Sequence, residues 1–216
     1  MAPRPWIPLV LAVIVAVVCI GLGRWQLDRL DQRRARNAAI EASFQAPPIR
    51  AESAATSPGS AQRFRRVTAG GRWNYGRESV IPARTRNGSP GVHIVTAMTL
   101  TNGRSEILVN RGWVYSPDAR SVDLAQWHEG ERAEVTGYVD RLPRSLRVGG
   151  EALYIVALAE TGSEAAPPTN RPARLSAPPF NEEGWHFYYA IQWFSFAAIA
   201  LIGTPLVVRQ QRRRRG

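Results

Sequence analysis

The chain of 216 residues contains no lysine, so all 28 of its basic residues are arginine. It also holds one cysteine, two methionines and three histidines. Each scarcity removes a class of chemistry. The single Cys19 allows no intrachain disulfide and no Cys-x-x-Cys redox or copper site. Met1 and Met98 are too few to supply the soft ligands that Cu(I) prefers, which disfavours a copper chaperone. No His-Glu-x-x-His, Gly-x-Ser-x-Gly, P-loop or strand-borne Gly-x-Gly-x-x-Gly motif occurs, so the chain reads as a non-enzyme.

What the chain does have is two long apolar runs. Residues 185–208 run from a histidine-bearing aromatic start (Trp185, His186, Phe187, Tyr188, Tyr189) to an arginine-rich tail. Such a segment, about 36 Å long as a helix, can cross a hydrocarbon core of about 30 Å. Residues 6–23 are free of charge and reach about 27 Å. A cleaved signal peptide is the alternative there, because Arg4 precedes the run. Against it, the run is long for such a segment and passes into Gly23-Arg24-Trp25-Gln26 rather than a small-residue cleavage site.

Charge sets the expected orientation. Arg209 and Arg212 to Arg215, with no acid among them, place the tail in the cytoplasm, and two spans then place residues 1–5 there as well. The first span taken alone points the other way. Only Arg4 and the α-amino group lie upstream of it, whereas Arg24, Arg29, Arg33, Arg34 and Arg36 follow. The formal charge of +11 is concentrated beside the membrane: residues 37–184 carry 17 arginines against 15 acids. That distribution fits contact with anionic lipid, at about 1 kcal/mol per residue, and argues against nucleic acid as a partner.

Between the spans the pattern changes three times. Residues 24–43 have a loose apolar pattern on a strong helix-forming background and extend the first helix out of the membrane. Residues 44–61, rich in Pro, Ala, Ser and Gly, read as a linker. Residues 62–160 alternate with a two-residue period, with strands expected at 64–73, 79–85, 92–100, 105–115, 132–142 and 152–158. Asn87-Gly88, Asn102-Gly103 and Gly149-Gly150 mark turns. Ile94, Thr96, Met98 and Leu100 fit one buried face. Residues 161–184 return to the membrane through a proline-rich loop, ahead of the span and the basic tail at 209–216. The fold class expected is therefore membrane α + β: two terminal transmembrane helices flanking a mainly antiparallel β domain, a small barrel or sandwich, outside the cytoplasm.

Few residues in that domain carry chemistry. His93 lies in an expected strand and reads as a satisfied structural histidine, while His128 beside Glu129 falls in a turn. Asn110-Arg111-Gly112-Trp113 is more unusual. Arg111 and Trp113 could form a recognition surface for a partner, and a strand arginine stacked on an aromatic is the equal alternative.

Several short pieces occur in a specific order between the two spans. They are Gly23-Arg24-Trp25-Gln26 with Arg29; Phe64-Arg65-Arg66-Val67 leading to Gly71-Arg72-Trp73; Thr85-Arg86-Asn87-Gly88; Pro90-Gly91-Val92-His93; Val109-Asn110-Arg111-Gly112-Trp113-Val114; and His186 with Tyr189-Ala190 and Trp193-Phe194. In this ordered set the chain resembles the surfeit-locus-one (SURF) family of cytochrome c oxidase assembly proteins. It departs from the family pattern at Ala97, Tyr115 and Gly184-Trp185. The resemblance implies a role in maturing haem-copper oxidase, at the step where haem a reaches the catalytic subunit. It implies transient haem a binding, with the histidine of the second span, here His186, as the iron ligand. The catalytic subunit and the haem a synthesis machinery are the partners implied, with Trp25, Gln26 and Arg29 among the contacts. A scaffold that carries no haem and grips an oxidase subunit through Arg111 and Trp113 is the alternative from a different class.

Residue chemistry and helix geometry bear on His186 separately. A neutral imidazole is a common axial ligand for haem iron, and an ionisable residue in a span is a functional candidate by default. The alternative is an interfacial belt residue among Trp185, Phe187, Tyr188 and Tyr189. At 100° per residue, His186 shares a face with Tyr189, Ala190, Trp193 and Ala197, which is expected to accept the macrocycle. Gln192, on the opposite face with Tyr188 and Ser195, is expected to hydrogen-bond the first helix or a partner subunit. The expected location is a bacterial inner membrane, since the first span begins by residue 7 with no Arg- and Ser-rich transit segment before it.

Overall fold

The computed structural model describes residues 6–56, 62–146, 153–159, 170–175, 178 and 184–214. The expected segment 1–5, the Gly149-Gly150 turn, most of the return loop 161–184 and the last two residues of the tail lie outside the described residues. Two units make up the chain: Met1–Ala39 with Phe180–Gly216, and Ile40–Pro179.

The first unit is helical. Helix α1, Ile7–Gln45, runs for 39 residues without a break. Its first half is Val- and Ile-rich, and its second half uses Ala, Arg, Leu and Gln, which are strong helix formers in water. Pro47-Pro48 prevent its continuation. The last helix, α3, spans His186–Arg213 and carries the helix past residue 208 into the arginine tail. Both helices are long and apolar enough to cross a membrane. Only 22% of the most apolar stretch of α1 and 6% of that of α3 is buried, whereas the core helix of a soluble protein would be mostly covered.

The second unit is a β-barrel. Its strands are β1 (Ile49–Arg50), β2 (Arg66–Arg86), β3 (Ser89–Leu100), β4 (Glu106–Tyr115), β5 (Arg132–Arg141) and β6 (Leu153–Ala157). The order β1-β2-β3-β4-β6-β5 closes through an additional β2–β5 pairing, so five strands form a ring. Pairing is antiparallel except for β4–β6 and β1–β2.

Two expectations change. The strands expected at 64–73 and 79–85 are one 21-residue strand, β2, kinked by register shifts between Asn74/Glu78 and Ile81/Arg84. The irregular stretches break the two-residue period and look like a gap in the sequence. They let β2 pair with β5 through Arg66 to Arg72 and with β3 from Gly71 onward, as closing a barrel requires. The expected linker 44–61 contains β1 and a short helix, α2 (Ala51–Thr56). Ile49 packs against the barrel core and Ala51 is fully buried in it, contacts that composition alone does not reveal.

Residues from all five ring strands line the interior, among them Val67, Ala69, Met98, Leu100, Val109, Val135, Val139, Ile155 and Ala157. The Ile94–Leu100 alternation faces this way, but Val95 and Ala97 between them are fully buried as well. An outer layer explains this: Val95, Tyr138, Tyr154 and Val156 are covered by Ile40 and Phe44 of the end of α1, with Phe64, Leu142 and Leu158. Each such side chain contributes about 1.5–3 kcal/mol on burial. The hairpin tips fall where expected. Asn87 (φ 50°) and Gly88 (φ 79°) join β2 to β3, and Asn102 accepts hydrogen bonds from the amides of Arg104 and Ser105 between β3 and β4.

Candidate functional site

Within the helical unit, α1 and α3 meet along small residues. Ala16 and Cys19 of α1 and Ala197 of α3 form a buried cluster, with Trp193 and Ala200 packed on it. Ala190 is 1% exposed, and Gly23 leaves room for the Phe194 ring, which a Cβ there would meet at 2.7 Å. Small side chains let two helices approach closely where lipid offers no hydrophobic driving force. Ala190 is buried and Trp193 and Ala197 pack toward α1, whereas Gln192, expected to bond the first helix or a partner subunit, is exposed and makes no contact of that kind with α1 among the described residues.

At the N-terminal end of α3, His186 is half-buried, and its Nδ1 lies 2.6 Å from Oε1 of Gln26 on α1. An amide oxygen only accepts, so Nδ1 is the donor in this contact, and in the neutral imidazole Nε2 then holds the lone pair. Gly184, at φ 67°, precedes it; a Cβ there would lie 3.1 Å from Arg33 Nη1 and 3.8 Å from His186 Cδ2. Its left-handed backbone favours glycine, and a Cβ there would crowd the Arg33 guanidinium while making only ordinary contact with the imidazole. Tyr189 is 50% exposed beside His186. Trp185, Phe187 and Tyr188 form an exposed aromatic group, with the Trp185 and Tyr188 rings 5.4 Å apart. Trp25 is also exposed, and Arg29 donates to Gln32 Oε1 at 3.0 Å along its own helix.

The donor set bears on which group could bind. Among the described residues, no cluster of three or more His, Cys, Asp or Glu could hold a bare metal ion. A haem brings four nitrogens of its own and needs one axial ligand from the protein, which a lone imidazole with a free Nε2 can provide. The residues around His186 thus fit a haem better than a bare ion.

The barrel holds a second constellation. Arg111 on β4 is fully buried, with all five of its N–H groups engaged. Nε donates to Glu129 Oε1 at 3.1 Å, Nη1 to Glu78 Oε1 at 3.0 Å and to Thr96 Oγ1 at 3.3 Å, and Nη2 to the Trp127 carbonyl and to Glu129 Oε1. The guanidinium also sits 5.3 Å from the Trp73 ring and 5.5 Å from the Tyr75 ring. Glu78 accepts in addition from Thr96 Oγ1 at 2.6 Å and from His128 Nε2 at 3.0 Å, and the His128 ring stacks on Tyr75 at 3.7 Å. Burial raises the Tyr75 pKa, and its hydroxyl donates to the Gly130 carbonyl. Glu129 binds Arg171 and Arg174 as well, at 3.0 and 3.1 Å.

These contacts correct the expectation of a partner surface at Arg111. A buried guanidinium with every donor satisfied has nothing left for a partner, and it stacks on Trp73 and Tyr75 rather than on Trp113. Trp113 is half-buried: its Nε1 donates to the Arg84 carbonyl at 3.0 Å, and its backbone pairs with Ala173. Gly112, at φ 131°, lets Ala173 approach, because a Cβ there would meet the Ala173 carbonyl oxygen at 2.6 Å. Asn110 accepts from the Gly112 amide and donates to His93 Nδ1 at 3.0 Å. Burial first, then Arg84 and Arg86, lower the His93 pKa to about 4, so it is neutral at neutral pH and serves as a structural acceptor. Sequence reading singled out neither Glu78 nor Glu129. The available signal was Arg111 itself, since an arginine in an otherwise apolar strand requires carboxylates to enter the interior with it.

Comparison with known proteins joins both constellations to one lineage. The sequence model of the SURF1 family matches residues 13–198, from within α1 to within α3. A SURF1-like protein of Monosiga brevicollis is 26% identical over 242 residues, covering 94% of this chain and 88% of that protein. The match includes the Gln26–His186 pair and the whole barrel, so the chain belongs to the SURF1 family, an assembly-factor family generally associated with cytochrome oxidase assembly.

Proposed function

We propose that this protein assists assembly of a haem-copper oxidase by holding haem a transiently at His186 and presenting it to the catalytic subunit. The observation that carries this reading is the contact of His186 Nδ1 with Gln26 Oε1 at 2.6 Å, which orients a half-buried imidazole at the start of α3. Haem a would supply the redox-active iron that the oxidase needs. His186 would hold the haem through its imidazole, with the half-exposed Tyr189 one turn further along α3 as a neighbouring contact. Trp193 packs in the helix seam, so its contribution is to fix the pitch of α3 below His186.

The protein is placed by this reading in a bacterial inner membrane, with both α1 and α3 spanning, the barrel on the outer side and the arginine tail in the cytoplasm. Arg24, Arg29, Arg33, Arg34 and Arg36 then meet lipid headgroups on the barrel side. Trp25, Arg29 and Gln192 are exposed and remain proposed contacts for the oxidase subunit or for the enzymes that make haem a. The alternative scaffold, gripping through Arg111 and Trp113, is left with a half-buried Trp113 alone.

The test is optical. The protein is purified in detergent from cells that make haem a, beside His186→Ala. Bound haem a in the wild type and its loss in the variant are expected; equal haem content in the two overturns the ligand assignment.

A further inference from the structure

We infer that Gln26 is the positioning residue of the haem site: its side-chain carbonyl engages Nδ1 of His186 and thereby leaves Nε2 as the nitrogen that would meet iron. The inference rests on the reading of His186 as the ligand and adds the residue that prepares it.

Three observations carry it. The Nδ1···Oε1 separation of 2.6 Å, at the short end of N–H···O geometry, joins two residues 160 positions apart in the chain. Among the described residues, His186 Nε2 has no hydrogen-bond partner. The surroundings hold both side chains in place. Gln26 sits one turn beyond Gly23, against which Phe194 of α3 packs, so the two helices are in close contact just beside the pair.

The chemistry is that of a ligand prepared in advance. Free histidine in water divides its proton between two nitrogens, and a ligand must present the bare one. A carbonyl partner on Nδ1 fixes the tautomer, sets the ring plane and raises the basicity of Nε2, as second-layer partners of metal-bound histidines do. Loss of such a partner costs about 10–100-fold in affinity. Gln26 also links the ligand on α3 to α1, so ring orientation depends on the register between the two helices. Exposed Arg29, one turn further along α1, makes its hydrogen bond within its own helix and does not compete for the imidazole.

The experiment uses the full chain in detergent with the variants Gln26→Leu and Gln26→Glu. In haem-free protein, ¹⁵N-histidine NMR reads the tautomer directly. His186 is expected as Nδ1–H in the wild type and Gln26→Glu, and to shift toward Nε2–H in Gln26→Leu. Titration with haem a is expected to show about 10–100-fold weaker binding for Gln26→Leu. Gln26→Glu should restore affinity and lower the iron midpoint potential, since a carboxylate withdraws the proton more strongly. Haem retained by His186→Ala overturns the ligand reading itself. Haem lost by His186→Ala but bound at wild-type affinity by Gln26→Leu overturns the positioning inference alone, as does an Nε2–H tautomer in the wild type.

Discussion

Arg111 shows how much one buried charge asks of its surroundings. Desolvating a guanidinium costs several kcal/mol, recovered here by two carboxylates, a hydroxyl, a backbone carbonyl and two aromatic faces. Removing it leaves Glu78 and Glu129 facing one another in the interior with a cation gone. Arg111→Ala should therefore destabilise the barrel by about 3–5 kcal/mol, read as a lower denaturant midpoint by tryptophan fluorescence of the detergent-solubilised chain. Arg111→Lys should recover only part of the loss, because an ammonium has three donors where the site has acceptors for five. A wild-type midpoint in Arg111→Ala would show that the network contributes nothing net. The sequence makes Arg111 conspicuous but hides its partners. Glu78 lies 33 residues away and Glu129 lies 18 away, and they meet only because the barrel closes.

Elements were legible where their periods were local. The hairpins at Asn87-Gly88 and Asn102-Gly103 follow from turn chemistry, and β3 through β5 lie close to their expected positions. β2 was harder to read because its irregular stretches interrupt the alternation, and α2 because a short Ala-rich helix resembles a linker in composition. Which face of α3 meets α1 is less legible, for a different reason. In a span, polarity is a poor guide to packing, since small residues rather than polar ones let helices approach, and Ala190 and Ala197 outweigh Gln192. The native Cys19 offers a test, because it shares a buried cluster with Ala197. Under mild oxidation in membranes, Ala197→Cys should form a disulfide that keeps the N- and C-terminal fragments together after cleavage between them. Gln192→Cys, on the exposed face, should let the fragments separate. The opposite pattern would place Gln192 rather than Ala197 against α1.

For the molecule as a whole, two sets of arginines compete to set orientation. Five follow the apolar half of α1 and five lie between residues 209 and 215 at the end of the chain, while residues 37–184 carry a net charge of only +2. The positive-inside bias therefore comes almost entirely from these two groups, and they demand opposite topologies if each acts alone. The proposed topology lets the tail win. It also places His186, at the start of α3, on the barrel side, where haem would be received in the outer half of the membrane. Interleaved Asp28 and Asp31 do little under this rule, so the proposed topology rests on the compactness of the tail group, which no acid interrupts. Replacing Arg209 and Arg212 to Arg215 with glutamine removes that group. The expected result is partial inversion, read from protease protection: the barrel, cleaved from the outer side in wild-type spheroplasts, becomes partly protected in the variant. Neutralising Arg29, Arg33, Arg34 and Arg36 should leave the wild-type pattern unchanged or sharpen it. If the second substitution inverts the chain and the first does not, the groups have exchanged roles, and His186 would then face the cytoplasm.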